Sequence, residues 1–359
     1  MPPILQAKLP PMAAADAGGP PAVTSETMTA APDAGMQAQV PEVSTDAWPA
    51  DCQEHFVFHA HGRPTDVDPS KYTLPAGDER VATFYFKSPW SNPAAQLVQS
   101  RERLDDRKII HHWMLYLINN TEHPDGDILD DHNLQSFNTL LNQQSLVGGI
   151  PGSGDLTLPE DVGLRLPDNE QTYALSIHYL NTTDEAQYDA SGIEVCVTNQ
   201  PRPHEAATHW VGASTFMLPP RTETRVNAVC NPTALKQSAH ILSISPHMHL
   251  LGTQADVTLQ RASGATVNLL DVPYSFDDQK VYDITKQHPA ADLELAPGDH
   301  ILTTCTFNNT TDMTVANGEK SAEEMCIMGI IAWPAGSISN DSQIAGFAGL
   351  SEDQSCFAE

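Results

Sequence analysis

Five histidines and one methionine carry the densest chemistry in the sequence. His247 and His249 flank Met248 in "PHMHLLG", His111 and His112 are adjacent in "IIHHWMLYL", His178 sits in "SIHYLN", and Met325 in "EEMCIMG". In a strand, residues i and i+2 share a face and lie roughly 6.6 Å apart, so His247 and His249 can converge on one metal ion from one element. Adjacent His111 and His112 point to opposite faces of a regular strand, and only a bulge or a twisted strand end lets both reach one ion. His178 would add a third imidazole from the same half, a set suited to copper or zinc. The Met325 thioether is a soft donor that favours Cu(I). Period-two alternation places Met325, Ile327 and Gly329 on one face of their strand and Cys326 and Met328 on the other. Taken singly, each of these side chains also reads as an ordinary core residue.

Two other constellations read as structural. His59 and His61 in "FHAHG" have the same i, i+2 spacing but no further ligand nearby in the chain. Asp125, Asp127, Asp130 and Asp131 in "HPDGDILDDHN" lack EF-hand spacing and read as a solvated loop rather than a Ca²⁺ site.

The elements that must position the histidines are short, β-branched or aromatic runs separated by Pro, Gly, Asn and Asp, such as "VATFYF", "GIEVCVT", "AHILSIS" and "HILTTCTF". That pattern predicts an all-β protein of antiparallel sandwiches or barrels. Residues 1–48, rich in Ala and Pro and almost without aromatics, read as a disordered leader. The polar, proline-containing stretch "TNQPRPHEA" divides the remainder into units 49–202 and 203–359. No repeat recurs at a fixed short period, which argues against a propeller or solenoid.

Composition narrows the partners. Across 359 residues, 46 acidic against 18 basic side chains give a formal charge of -28, which repels nucleic acids and anionic bilayers. No apolar run is long enough to span a membrane, and the N-terminus does not read as an intact signal peptide. Six cysteines without a CxxC pair favour three disulfides over a zinc knuckle, and hence a secreted or periplasmic location. Sequons begin at Asn119, Asn181, Asn308, Asn309 and Asn340, a tripeptide common by chance.

The order HH, HY, HxH, MC over about residues 50–359 resembles the copper type II, ascorbate-dependent monooxygenases, which include the peptidylglycine α-hydroxylating and dopamine β-type enzymes. The resemblance implies two jelly-roll-like antiparallel β-sandwich domains in tandem, each holding one copper. It implies that His111, His112 and His178 hold an electron-transfer copper, and that His247, His249 and Met325 hold the copper at which oxygen is activated. It also implies bridges Cys52–Cys196, Cys230–Cys356 and Cys305–Cys326. Ser245 and Gly329 stand where the peptidylglycine enzyme uses Arg and Tyr to hold a substrate carboxylate, which disfavours that substrate.

The function implied is a monomeric dicopper monooxygenase that hydroxylates an activated C–H bond of a small amine, aromatic or peptide-like substrate, with O₂ and an ascorbate-type reductant. A copper-binding or copper-handling protein without oxygenase activity is the alternative. A pair of carbohydrate- or peptide-binding jelly rolls with incidental histidines is a third reading.

Overall fold

The computed structural model describes residues 47–118, 123–132, 144–150, 153–166, 172–213, 215–230, 238–338 and 357–358. The leader expected over 1–48 therefore falls almost wholly outside the described residues, as do Asn119, Asn340 and Cys356. Residues 41–359 form one compact unit.

All regular structure among the described residues is β, apart from two three-residue 3₁₀ turns. In the first half, a sheet ordered Glu54–His59, Gly192–Thr198, Gln96–Arg103, Val162–Arg165 faces one ordered Ile128–Asp131, Glu79–Lys87, Thr172–Leu180, Ile110–Ile118, Gln144–Gly149. The core between them includes Phe58, Trp90, Leu97, Leu115, Tyr173 and Leu175. In the second half, His204–Ala213, Cys326–Trp333 and Ala239–His247 lie side by side opposite a sheet ordered Thr222–Cys230, His300–Asn309, Gly252–Gln260, Thr266–Pro273. Its core includes Val211, Ile241, Val257, Leu259, Phe307 and Met328.

A third apolar cluster lies between these two layers. Strand Ile110–Ile118 sends Trp113, Leu115 and Leu117 into the first core, and Met114, Tyr116 and Ile118 to its other face. There they meet Met325, Ile327 and Trp210 from the second half. Cys326 and Met328 point into the second core, so the alternation along this strand is the one expected. Burial on both faces explains why "IIHHWMLYLI" and "MCIMGIIAW" are continuously apolar instead of alternating with polar residues.

The stretch between the halves is held rather than loose. Residues 204–206 pair in parallel with 162–164, which makes the front sheets of both halves continuous. Arg202, only 7% exposed, donates both to the carboxylate of Asp51 at 2.8 Å and to the carbonyls of Pro159 and Val162. Farther on, Thr208 donates to the Leu146 carbonyl and Trp210 Nε1 to Ser145 Oγ, tying a second-half strand to a first-half one.

Cys52 is bonded to Cys196 and Cys305 to Cys326. Cys230 is also disulfide-bonded, and Cys356, its expected partner, lies outside the described residues. With the bonded positions 144 and 21 apart in sequence, chain entropy assigns the two described bridges about 5 and about 3 kcal/mol.

The two halves repeat one local device. Asn181 and Asn309, 1% and 0% exposed, stand just after strand Thr172–Leu180 and at the end of strand His300–Asn309. The Asn309 amide donates towards the carbonyls of Leu218, Pro219 and Met313 at 2.9–3.1 Å, and its carbonyl accepts from Thr311 N and Oγ1. The Asn181 amide does the same with Leu74, Pro75 and Glu185, and its carbonyl with Thr183. Both "NTT" sequons thus spend their amide nitrogens on buried backbone, where a glycan has no room. The acidic loop is likewise occupied by local bonds: Asp125 accepts from Lys87 N, Asp127 pairs with His123, and Asp130 takes Arg63 and Tyr72.

Asn309→Ala is expected to cost about 3 kcal/mol, because buried carbonyls lose their donor. A drop in denaturation midpoint checks this, and an unchanged midpoint would mean that water replaces the amide. A second expectation concerns His209, buried in strand His204–Ala213, whose pKa burial pushes down to about 4. The unfolded chain takes up that proton below about pH 6.5 while the folded chain does not until about pH 4. Stability is therefore lost as pH falls through this window, by about 1.4 kcal/mol per pH unit. His209→Asn is expected to reduce proton uptake on unfolding at pH 5 by about one, read from stability against pH.

Candidate metal centre

His111, His112 and His178 meet because the strand pairing slips. His178 pairs with His112 but Tyr179 pairs with Ile110, so His111 is the extra residue of a β-bulge. The slip turns two adjacent side chains to the same side, and one nitrogen from each of the three rings lies within 4.8 Å of the others. His111 Nδ1 and His178 Nδ1 are 3.0 Å apart.

His247 ends strand Ala239–His247, and the chain keeps its alternation for two more residues. Met248 plugs into the second core, 0% exposed, while His247 and His249 turn the other way. Tyr274 clamps this turn: its hydroxyl accepts from Met248 N at 3.0 Å and donates to the Met248 carbonyl.

These two groups of rings form one cluster. His111 lies 5.9 Å from His247 and 5.5 Å from His249, centroid to centroid, and His112 lies 5.1 Å from His247. Phe276 lies against His111 at 4.2 Å. Met325, 2% exposed, lies in the cluster between the halves. Its chain neighbours hold His249 from both ends: the Glu323 carbonyl accepts from His249 Nδ1 at 3.0 Å, and the Glu324 carboxylate from His249 N at 2.8 Å and from Leu251 N.

The partners decide which nitrogens remain available. His178 Nε2 donates to Glu79 at 3.0 Å, which leaves Nδ1 as the lone pair facing His111. His247 Nδ1 donates to Gln279 at 2.9 Å and His249 Nδ1 to the Glu323 carbonyl, leaving the Nε2 atoms as acceptors. The Nε2 atoms of His111, His247 and His249 are buried and have no hydrogen-bond partner among the described residues. Burial first, then repulsion from the neighbouring rings, holds His111 and His112 well below the usual histidine range. Burial also pushes His247 to about 4, against the Gln279 bond, and His249 to about 3. These four are neutral at pH 7, the state in which imidazole binds a metal. Buried nitrogen lone pairs without protein partners, beside a thioether-bearing strand, are a donor set that copper fits.

Two carboxylates complete the surroundings. The His178 bond holds Glu79 down to about 2. Burial pushes Glu324 up to about 7, against the N–H groups of Leu251 and His249.

A cavity of about 90 Å³, open to solvent, reaches His112 and His247. Trp113 and Trp210 form much of its wall, and each stands opposite a glycine, Gly149 and Gly329, on the neighbouring strand. A Cβ at Gly149 would come within 2.9 Å of the Trp113 ring and one at Gly329 within 3.1 Å of the Trp210 ring, so the missing side chains give both indoles their place.

His59 and His61 lie apart from this cluster, each ring bonded to the carbonyl of the next residue. Glu79, Gln279, Tyr274 and Phe276 carry no signal of their own in the sequence, since each acts only through a ring distant in the chain. Glu324 stands inside the "EEMC" run, where its proximity to Met325 was the one available clue.

Residues 205–343 match the C-terminal domain of the copper type II ascorbate-dependent monooxygenases. "MOXD1 homolog 1" of Drosophila melanogaster is 25% identical over 64% of this chain and 36% of its own length. "DBH-like monooxygenase protein 1" of Mus musculus is 28% identical over 55% and 34%, and "Dopamine beta-hydroxylase" of Canis lupus familiaris 30% identical over 49% and 30%. The chain spans about a third of the length of these curated relatives. Among solved structures, the major capsid protein P2 of bacteriophage PM2 aligns over 78% of this chain and 97% of its own at 10% identity, with a TM-score of 0.26. Over residues 205–343 the chain is thus similar to the copper type II, ascorbate-dependent monooxygenases, a family that uses copper and ascorbate.

Proposed function

We propose that this protein is a secreted or periplasmic dicopper monooxygenase that hydroxylates an activated C–H bond of a small aromatic or amine substrate. The observation that carries the reading is the convergence of five histidines, three with unpartnered buried nitrogens, at the end of a largely apolar cavity. In this reading residues 49–202 and 203–359 are the two sandwich units. His111, His112 and His178, the last through Nδ1, would hold one copper. His247 and His249 through Nε2, with Met325, would hold the other.

The net reaction takes substrate C–H, O₂, two electrons and two protons to C–OH and water. Each copper, when bound, stores one of the two electrons that an ascorbate-type reductant supplies. Gln279 and the Glu323 carbonyl keep the Nδ1 protons of His247 and His249, so both rings stay oriented with Nε2 towards the metal position. Trp113, Trp210, Ile327 and Ile331 supply apolar walls that exclude water and hold a ring-sized substrate beside His112 and His247.

The walls also bear on the substrate. Among the described residues the basic group at the cavity is Lys280, which is paired with Asp278 at 2.7 Å, whereas Glu102 adds a carboxylate. That arrangement supports an uncharged or cationic substrate over one anchored by a carboxylate, and the charge of -28 acts in the same direction. The disulfides support an extracytoplasmic location, and no helix among the described residues is long and apolar enough to cross a membrane. A copper-handling protein would need the histidines but not the cavity.

The test is reconstitution with copper, a count of bound ions per chain, and oxygen uptake with ascorbate across aromatic, amine and peptide compounds. Two coppers with substrate-dependent uptake are expected, and two coppers without coupled uptake would favour copper handling. Met325→Ile is expected to reduce hydroxylation to background with the fold and the other copper retained, and undiminished turnover would remove Met325 from the mechanism. Gly329→Phe is expected to push the Trp210 ring into the cavity and raise KM at least about tenfold with copper content unchanged. An unchanged KM would place the substrate elsewhere.

A further inference from the structure

One carboxylate oxygen touches both halves of the site. Glu79 Oε1 accepts from His178 Nε2 at 3.0 Å, from Ser321 N at 3.2 Å and from Ser321 Oγ at 2.8 Å. Glu79 opens strand Glu79–Lys87 of the first half, whereas Ser321 belongs to the second-half loop that leads into Met325. The same loop grips His249 through the Glu323 carbonyl and the Glu324 carboxylate. Lys320 N and the Glu323 side chain, 3.1 Å apart, close the loop on itself. His178 and Met325 are thus joined through four residues of backbone and one shared acceptor.

A carboxylate on one imidazole nitrogen fixes the tautomer and raises the basicity of the other. Three donors on one oxygen divide its electron density, so the bond to His178 depends on what Ser321 takes. We propose that Glu79 is a positioning residue: it sets Nδ1 of His178 as the ligating atom and, through Ser321, holds the Met325 loop in register with it. This rests on the dicopper reading above. It adds that the electronic state of the three-histidine copper is tuned by a loop of the opposite half.

The test uses the full chain loaded with copper. Cu(I) affinity is measured by competition with a chromophoric chelator, and the Cu(II)/Cu(I) midpoint by redox titration followed through the Cu(II) paramagnetic resonance signal. Glu79→Gln keeps the shape but loses the charge, and is expected to bind one of the two coppers about ten- to a hundredfold more weakly and to raise its midpoint. Ser321→Ala removes one competing donor and strengthens the bond from His178, so both coppers stay and the midpoint of the same copper falls. Opposite shifts are the signature, because a purely structural contact would weaken the site in the same direction in both variants. Shifts of one sign, or two wild-type midpoints, overturn the proposal. If near-ultraviolet circular dichroism shows that Glu79→Gln does not fold, the sign of the Ser321→Ala shift alone decides. A wild-type chain that takes up no copper sinks the dicopper reading and this proposal together, whereas two coppers with indifferent variants sink the proposal alone.

Discussion

The packing of His111, His112, His247 and His249 into one cluster, the first and last buried and the other two reached by the cavity, is the constraint on which the rest of the structure turns. Rings packed 5–6 Å apart and largely withdrawn from water repel one another when protonated, so the fold holds them in the neutral form. Neutral rings need somewhere to place one donor and one acceptor each. Gln279 and the Glu323 carbonyl take the donors of His247 and His249, and Nε2 of His111, His247 and His249 is left without a hydrogen-bond partner among the described residues. A cluster with this many unanswered lone pairs is costly as a core and reasonable as a metal centre.

Keeping the cluster together requires that the two halves not drift apart. The front sheets run into one another through residues 204–206, Arg202 bonds Asp51 and the 159–162 turn at the junction, and Met114, Tyr116, Met325 and Ile327 form an apolar layer between the halves. Thr208 and Trp210 add polar ties to the strand that carries Leu146. The Cys305–Cys326 bridge fastens the residue next to Met325 to the central strand of the opposite sheet, so the thioether strand is anchored covalently on its core side. The same packing leaves the cavity open on the side where Trp113 and Trp210 lie over glycines.

How much of this was legible in the amino-acid sequence depends on the range of the interaction. Period-two alternation placed Met325 and Ile327 opposite Cys326 and Met328, and the structure has them so, because alternation is a property of one strand. The requirement for a bulge at His111 and His112 was also readable, since two adjacent side chains cannot otherwise share a face. The stretch at 198–206 read as a joint between two units, fixed or moving, and the burial of Arg202 there could not be read, because its partners come from residues 51, 159 and 162. The "NTT" sequons read only as a tripeptide common by chance, and their amides close the ends of two corresponding strands.

The sequence by itself determined the all-β class, the six ligand-type residues and their order along the chain, since strand periodicity and donor chemistry are local properties. Only the tertiary structure decided that the five histidines form one cluster, which nitrogen of His178, His247 and His249 stays available, and that Glu79 reaches Ser321 across the halves. Those outcomes depend on pairings between residues tens to hundreds of positions apart, and one shift in register would send the same side chains to the opposite face.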